Sequence, residues 1–190
     1  MKAEVKKVSL GDVAILYDSL HKTPQYSEEG YFMVRVTDIK YVYLNLSEAK
    51  KVNKETFQEF TKKYKPQVGD TIFSRVGSYG NSSYLKYKKD LCLGQNTVCI
   101  SPKHKIIEPF YLYLCLNSHY LKQQIDAFVG GSSQPTISLK NIKYLQIPYY
   151  NFSIQKKIAT ILSAYDDLIE NNTIRIKILE QMAQSNYFRN

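Results

Sequence analysis

The 190-residue sequence has no tryptophan and only three cysteines, three histidines, six prolines and eight glycines. Cys92, Cys99 and Cys115 are odd in number and form neither a CxxC pair nor a Cys/His cluster. That argues against a disulfide framework or a structural zinc site and predicts reduced, mostly packed thiols. His21, His104 and His119 are equally scattered. No apolar run approaches the ~20 residues of a membrane span, and the opening MKAEVKKVSLGDV lacks a signal peptide's apolar stretch, so a soluble, cytoplasmic protein is expected. Signatures of catalysis are missing as well: no GxGxxG, GxxxxGK[ST] or HExxH, no serine nucleophile elbow, and no Asn or Asp followed by Pro-Pro-aromatic as in amino-methyltransferases. No motif suits S-adenosylmethionine, ATP or a metal, and no cofactor is expected. The carboxylate pairs Glu28-Glu29 and Asp166-Asp167 read as solvated faces, and Asp90 near Lys88 and Lys89 is too generic to mark a nuclease.

What the sequence does contain is basic charge and one long helical pattern. Lys and Arg outnumber Asp and Glu by 26 to 17, giving +9, which suits a polyanionic partner. From Gln155 onward five basic residues meet four acidic ones, so +8 lies on residues 1–154. Gln155 to Phe188 contains no Gly or Pro and reads as one helix of roughly 50 Å at 1.5 Å per residue. Ile158, Leu162, Tyr165, Ile169, Asn172, Ile176, Leu179 and Ala183 alternate steps of four and three, a heptad seam that wants a partner helix. A second row, Ile161, Leu168 and Met182, widens the stripe. The plainer reading is a helix docked on its own domain. Against it, such a helix overhangs a head of ~150 residues, whose radius of gyration is near 15 Å.

Upstream, Tyr31–Ile39 and Tyr41–Leu46 predict strands from their Tyr, Val and Ile content. Asn53 caps a helix through Tyr64 with Phe57 and Phe60 inward, and Pro66 stops it. Thr71–Val76, Ser83–Tyr87 and Gln95–Ile100 are further strands, with a sharp break at Gly77-Ser-Tyr-Gly80. Pro109 opens a helix that Gly130-Gly131 ends, Ser138 caps a single helical turn, Tyr144–Pro148 forms a short strand, and Asn151 or Ser153 caps the long helix. This order predicts an α+β fold: a head with a mixed or antiparallel sheet over residues 1–150, followed by a coiled-coil-forming helix over 151–190.

For binding, three clusters stand out, and each has an ordinary surface loop or solvated face as its alternative. The turn carrying Arg75, Ser78, Tyr79 and Asn81 offers residue types that read base edges and phosphates. Ser132, Ser133 and Gln134 occupy a second polar turn. Lys62, Lys63, Lys86 and Lys88 are positioned to track a phosphate backbone.

Three segments then resemble one known family. Gly130-Gly-Ser-Ser-Gln-Pro-Thr through Pro148, Gln155-Lys-Lys-Ile-Ala-Thr-Ile-Leu through Asp167-Leu-Ile-Glu-Asn-Asn172, and Ile178-Leu-Glu-Gln-Met-Ala-Gln-Ser185 resemble the specificity subunit of type I restriction-modification systems. Leu10-Gly-Asp-Val-Ala14, Val68-Gly-Asp70 and Gly77-Ser-Tyr-Gly80 carry the likeness into the head. The resemblance implies a target recognition domain that reads double-stranded DNA and a spacer helix that sets the distance between half-sites. It also implies that the methyltransferase (modification) subunit and the ATP-dependent nuclease (restriction) subunit are separate partners. In that family a full subunit carries two such domains and two antiparallel helices. Two features depart from the pattern. Tyr150 stands where a second proline often follows Ile147-Pro148, and the chain is half the usual length, either a natural half-length form or a fragment. The expectation is therefore a non-catalytic specificity chain working as a homodimer through its helix. The alternatives are a bridging adaptor without DNA specificity, such as an orphan fragment, and an enzyme with an unrecognised site.

Overall fold

Strands with layers on either side bury both faces and so carry near-continuous apolar runs rather than alternation, and strands of that kind organise the head. The computed structural model describes residues 5–40, 42–129 and 135–187. Its strands are β1 (Lys7–Ser9), β2 (Ala14–Asp18), β3 (Tyr26–Ser27), β4 (Tyr31–Val34), β5 (Lys50–Val52), β6 (Thr71–Ser74), β7 (Ser82–Tyr84), β8 (Leu91–Leu93), β9 (Thr97–Pro102) and β10 (Gln146–Pro148). Its helices are α1 (Leu10–Val13), α2 (Lys54–Thr61), α3 (Pro109–Asn117), α4 (His119–Val129), α5 (Leu139–Tyr144) and α6 (Phe152–Tyr187).

One antiparallel sheet runs β2-β9-β6-β7; a mixed sheet runs β3-β5-β4-β8, with only β4 and β8 parallel; β1 pairs with β10. Phe73, Val98 and Ile100 face a core shared with α3, α4 and α5, while Ile72 and Cys99 face Val34, Leu91 and Leu93 of the mixed sheet. On the far side of that sheet, Met33 and Cys92 meet Phe57 and Phe60 of α2. The head is thus layered helices, sheet, sheet, helix, in agreement with the α+β expectation. All three cysteines are buried and free, and burial pushes the Cys115 thiol up to about 11 and the Cys92 thiol to about 12.

Several expected elements take a different form. The strand from Tyr31 ends at Val34 because Asp38 accepts from the backbone N and Nε of Arg35 at 2.8 and 3.0 Å, folding Val36–Asp38 into a 3-10 turn. The expected strand at 41–46 is a single bridge, Tyr43 to Tyr84, fastened by Leu44 N to Tyr84 O at 3.0 Å; Tyr41 lies outside the described residues. The helix from Pro109 breaks at Ser118, which is extended and whose Oγ accepts from Leu121 N to start α4. β2, β3, β5 and β8 went unpredicted: β3, β5 and β8 are only two or three residues long, and the two faces of β8 are both buried, so no alternation marks it. The caps hold as expected: Asn53 accepts from Thr56 N, Ser138 from Asn141 N, and Asn151 from Ile154 N.

Candidate nucleic-acid interface

The turn between β6 and β7 is made possible by glycine. Gly77 and Gly80 sit at φ 70° and 78°, left-handed positions where a side chain is strained. Ser78 and Asn81 are exposed at its tip, whereas Tyr79 packs against the head core. Val76 bridges Thr136, and Ile137 N donates to Arg75 O at 3.0 Å. These contacts stitch the base of the 77–81 turn to Thr136 and Ile137, at one edge of the head. Ser132, Ser133 and Gln134 themselves lie outside the described residues. Lys122 of α4 supports the edge, donating to Gly80 O at 2.7 Å; burial lowers its pKa.

Two of the expected contact residues point elsewhere. Arg75 donates through Nη1 to both carboxylate oxygens of Asp18, at 3.0 and 3.1 Å, and through Nε to Ile137 O at 3.1 Å, with its side chain only 14% exposed. It fastens β2 and residue 137 to the base of the turn, and reaching a base edge requires it to leave that pair. Lys86 likewise turns toward α6, where Nζ donates to Asp167 Oδ1 at 2.7 Å and lies 4.1 Å from the Tyr43 ring centroid. Burial works against its charge, but hydrogen bonds to Asp167 and Tyr87 outweigh burial and raise its pKa.

The remaining lysines are open. Lys62 and Lys63 follow α2 and are exposed, lining a cavity of about 270 Å³ with Tyr17, Asp18 and Leu20, next to the Arg75 pair. Lys88 and Lys89 are exposed beside residues 65–68, and the Lys65–Asp90 ion pair at 2.6 Å brings the two lysine runs to one side of the head. Among the described residues no group of His, Cys, Asp or Glu is arranged to hold a metal ion.

The helix seam is the second surface. Ile158 packs against the head, but Leu162, Tyr165, Ile169, Asn172, Ile176, Leu179 and Ala183 are exposed, Ile169 at 64% and Leu179 at 63%. The outer row of Ile161, Leu168 and Met182 is exposed too. The helix docks instead through Gln155, Ala159, Asp166, Asp167 and Glu170, all buried or half-buried. At 3.6 residues per turn this face lies roughly 120° from the seam. Asp166-Asp167 is therefore not a solvated pair. Hydrogen bonds from Lys86, then Tyr43, hold Asp167 below the ordinary carboxylate range, whereas burial and the Asp167 charge push Asp166 up. Tyr43, Gln155 and Asp167 were missed as joint residues because their partners lie 47 to 124 positions away, which no local spacing reveals.

No helix among the described residues is long and apolar enough to cross a membrane. Among known proteins, the chain is 28% identical over 149 residues to the MjaIX type I restriction enzyme specificity subunit of Methanocaldococcus jannaschii, covering 78% of this chain and 33% of that one. It is 27% identical over 169 residues to the EcoBI specificity subunit of Escherichia coli, covering 85% and 35%. The chain thus spans about a third of these curated relatives. In fold it is similar to the HsdS subunit from Thermoanaerobacter tengcongensis, with a TM-score of 0.64, 15% identity and coverage of 90% and 44%. It is also similar to the type I restriction-modification S subunit from M. genitalium, with a TM-score of 0.60, 20% identity and coverage of 90% and 42%. The family model for the type I restriction modification DNA specificity domain matches residues 2–181, and the chain belongs to that family.

Proposed function

We propose that the chain is a non-catalytic DNA-recognition chain whose head, residues 1–150, reads one half-site and whose helix, 151–190, pairs with a second copy and sets the spacer. The observation that carries this reading is the exposed seam of a helix whose other face is already occupied by its own head. Burying each large apolar seam residue is worth about 1.5 to 3 kcal/mol, and an antiparallel second copy covers them all. Asn172 on that seam fixes register at some cost in stability. Two identical heads related by a dyad read the same half-site in opposite orientation, so the target is an interrupted palindrome. Heads roughly 50 Å apart reach one side of DNA between one and one and a half turns apart. Exposed Ser78 and Asn81, with Ser132, Ser133 and Gln134, supply base contacts, and Lys62, Lys63 and Lys88 meet phosphates. Separate methyltransferase and ATP-dependent nuclease subunits supply the chemistry, the former docking on Ile161, Leu168 and Met182.

The test is selection of duplexes from a random pool alongside sedimentation at micromolar concentration. A dimer selecting an interrupted palindrome is expected; a monomer, or a site with two unrelated halves, sinks the model. A bridging adaptor without DNA specificity is the second reading, favoured by the inward turn of Arg75 and Lys86. An adaptor gives no salt-dependent DNA binding, whereas a basic reader loses affinity steeply as salt rises.

A further inference from the structure

α6 is held to the head at two places. Near its start, the buried Gln155 accepts from Glu108 N at 2.9 Å and donates to Tyr150 O at 2.8 Å, with Ala159 buried one turn on. Twelve residues beyond Gln155, about 18 Å along the axis, lies a second fastening made of charge. Tyr43 is buried, with its ring 6.2 Å from that of Phe110, and its hydroxyl donates to Asp167 Oδ1. Lys86 covers the Tyr43 ring and donates to the same oxygen, while Glu170 Oε2 lies 3.5 Å from Nζ. From Asn171 to Ser185 every side chain is exposed. One fastening alone leaves a hinge near Asn151; two define a direction.

We propose that the Lys86–Asp167–Tyr43 cluster, with Glu170, is a positioning device that sets the angle between head and helix and so selects the spacer length the paired heads accept. The spacer role rests on the DNA-recognition reading above; the angular role rests on the geometry of the joint alone. The lever is long enough to matter. For a head with a radius of gyration near 15 Å, the reading rim lies roughly 20 Å or more from the hinge. Ten degrees of rotation then moves the rim about 3.5 Å, close to the ~3.4 Å axial rise of one base pair. The cluster acts on spacing rather than on half-site sequence because none of its side chains belongs to the 77–81 turn.

The experiment compares the full chain with Lys86→Met, Asp167→Asn and the reversed pair Lys86→Glu/Asp167→Lys. Nitroxide labels at Gln58→Cys and Gln184→Cys, two exposed positions on α2 and α6, report the head-to-helix distance by pulsed electron resonance in labelled chains diluted into unlabelled ones. The native thiols are buried and leave the labels specific. Duplex selection with spacers varied one base pair at a time is run in parallel. The expected result is a broadened distance distribution and a tolerated spacer range widened by one or two base pairs in both single variants, half-sites unchanged, with narrowing restored in the reversed pair. Unchanged distances and spacer profile in folded Lys86→Met and Asp167→Asn overturn the proposal. If the parent chain selects no DNA at all, the recognition reading falls and the spacer role with it, while the label distances still decide whether the cluster sets the angle.

Discussion

The two halves of α6 share one heptad and one unbroken backbone, yet they live in different surroundings. Over residues 152–170 the helix leans on α3 and on Tyr43 and Lys86 through Gln155, Ala159, Asp166, Asp167 and Glu170, largely with polar side chains; over 171–185 every side chain is exposed, the large apolar ones included. Apart from Ile158 and Ala159, the docked face is polar and the apolar face is left in solvent. The difference teaches that the apolar stripe was not written for the head. A helix meant only to pack on its domain places its isoleucines and leucines inward, and this one turns them roughly 120° away, into solvent.

The comparison is broken most severely by charging the free seam. In the proposed dimer Ile169→Asp counts twice across the dyad and is expected to weaken pairing by about 3 to 6 kcal/mol, giving a monomer in sedimentation, while the head's melting transition stays put. The docked half fails differently. Gln155→Leu strands Glu108 N and Tyr150 O, each at roughly 1 to 3 kcal/mol, so the thermal transition drops without any change in the seam itself. Next comes Arg75→Ala, which removes a charged pair and the bond to Ile137 O. About 1 to 3 kcal/mol of stability is lost, and DNA preference relaxes across the whole turn rather than at one base, as a selection experiment will register. Smaller still, Lys88→Ala and Lys62→Ala leave stability within about 0.5 kcal/mol but shallow the log-log salt dependence of DNA binding by close to one unit each.

The least effect is that of pH on the joint. Asp167 titrates below the ordinary carboxylate range in the folded chain, so its contribution is complete above its unfolded pKa and fades only as pH falls through the lower folded value. Lys86 titrates above its ordinary range, so its contribution is complete below its unfolded pKa and fades as pH rises through the higher one. Between those limits the label distance across the joint should stay flat, with broadening only in acid or strong alkali. Tyr43, Tyr87, Asp166 and Glu170 face the same cluster. A change centred near neutrality would point to another group.

Much of the candidate interface was legible as residue type and little as role. The glycines of the 77–81 turn and the capping residues Asn53, Ser138 and Asn151 act within a few positions of themselves, and local spacing was enough to find them. Arg75 was placed correctly at the base of the turn, but its partner Asp18 is 57 positions away on β2, so an arginine that looked available is engaged. Lys86 belongs to the same class of error, since three of the four groups around it sit on segments far off in sequence.

The sequence by itself determined the α+β order, the length of the terminal helix, its heptad and the concentration of basic charge on the head, because each depends on composition or on periodicities of two, three and four residues. Only the tertiary structure decided which face of that helix its own head takes, which lysines remain open to a phosphate backbone, and which arginine is spent inside. Those outcomes turn on pairings between residues tens of positions apart, where desolvation and hydrogen-bond geometry choose among groups that look alike in the chain.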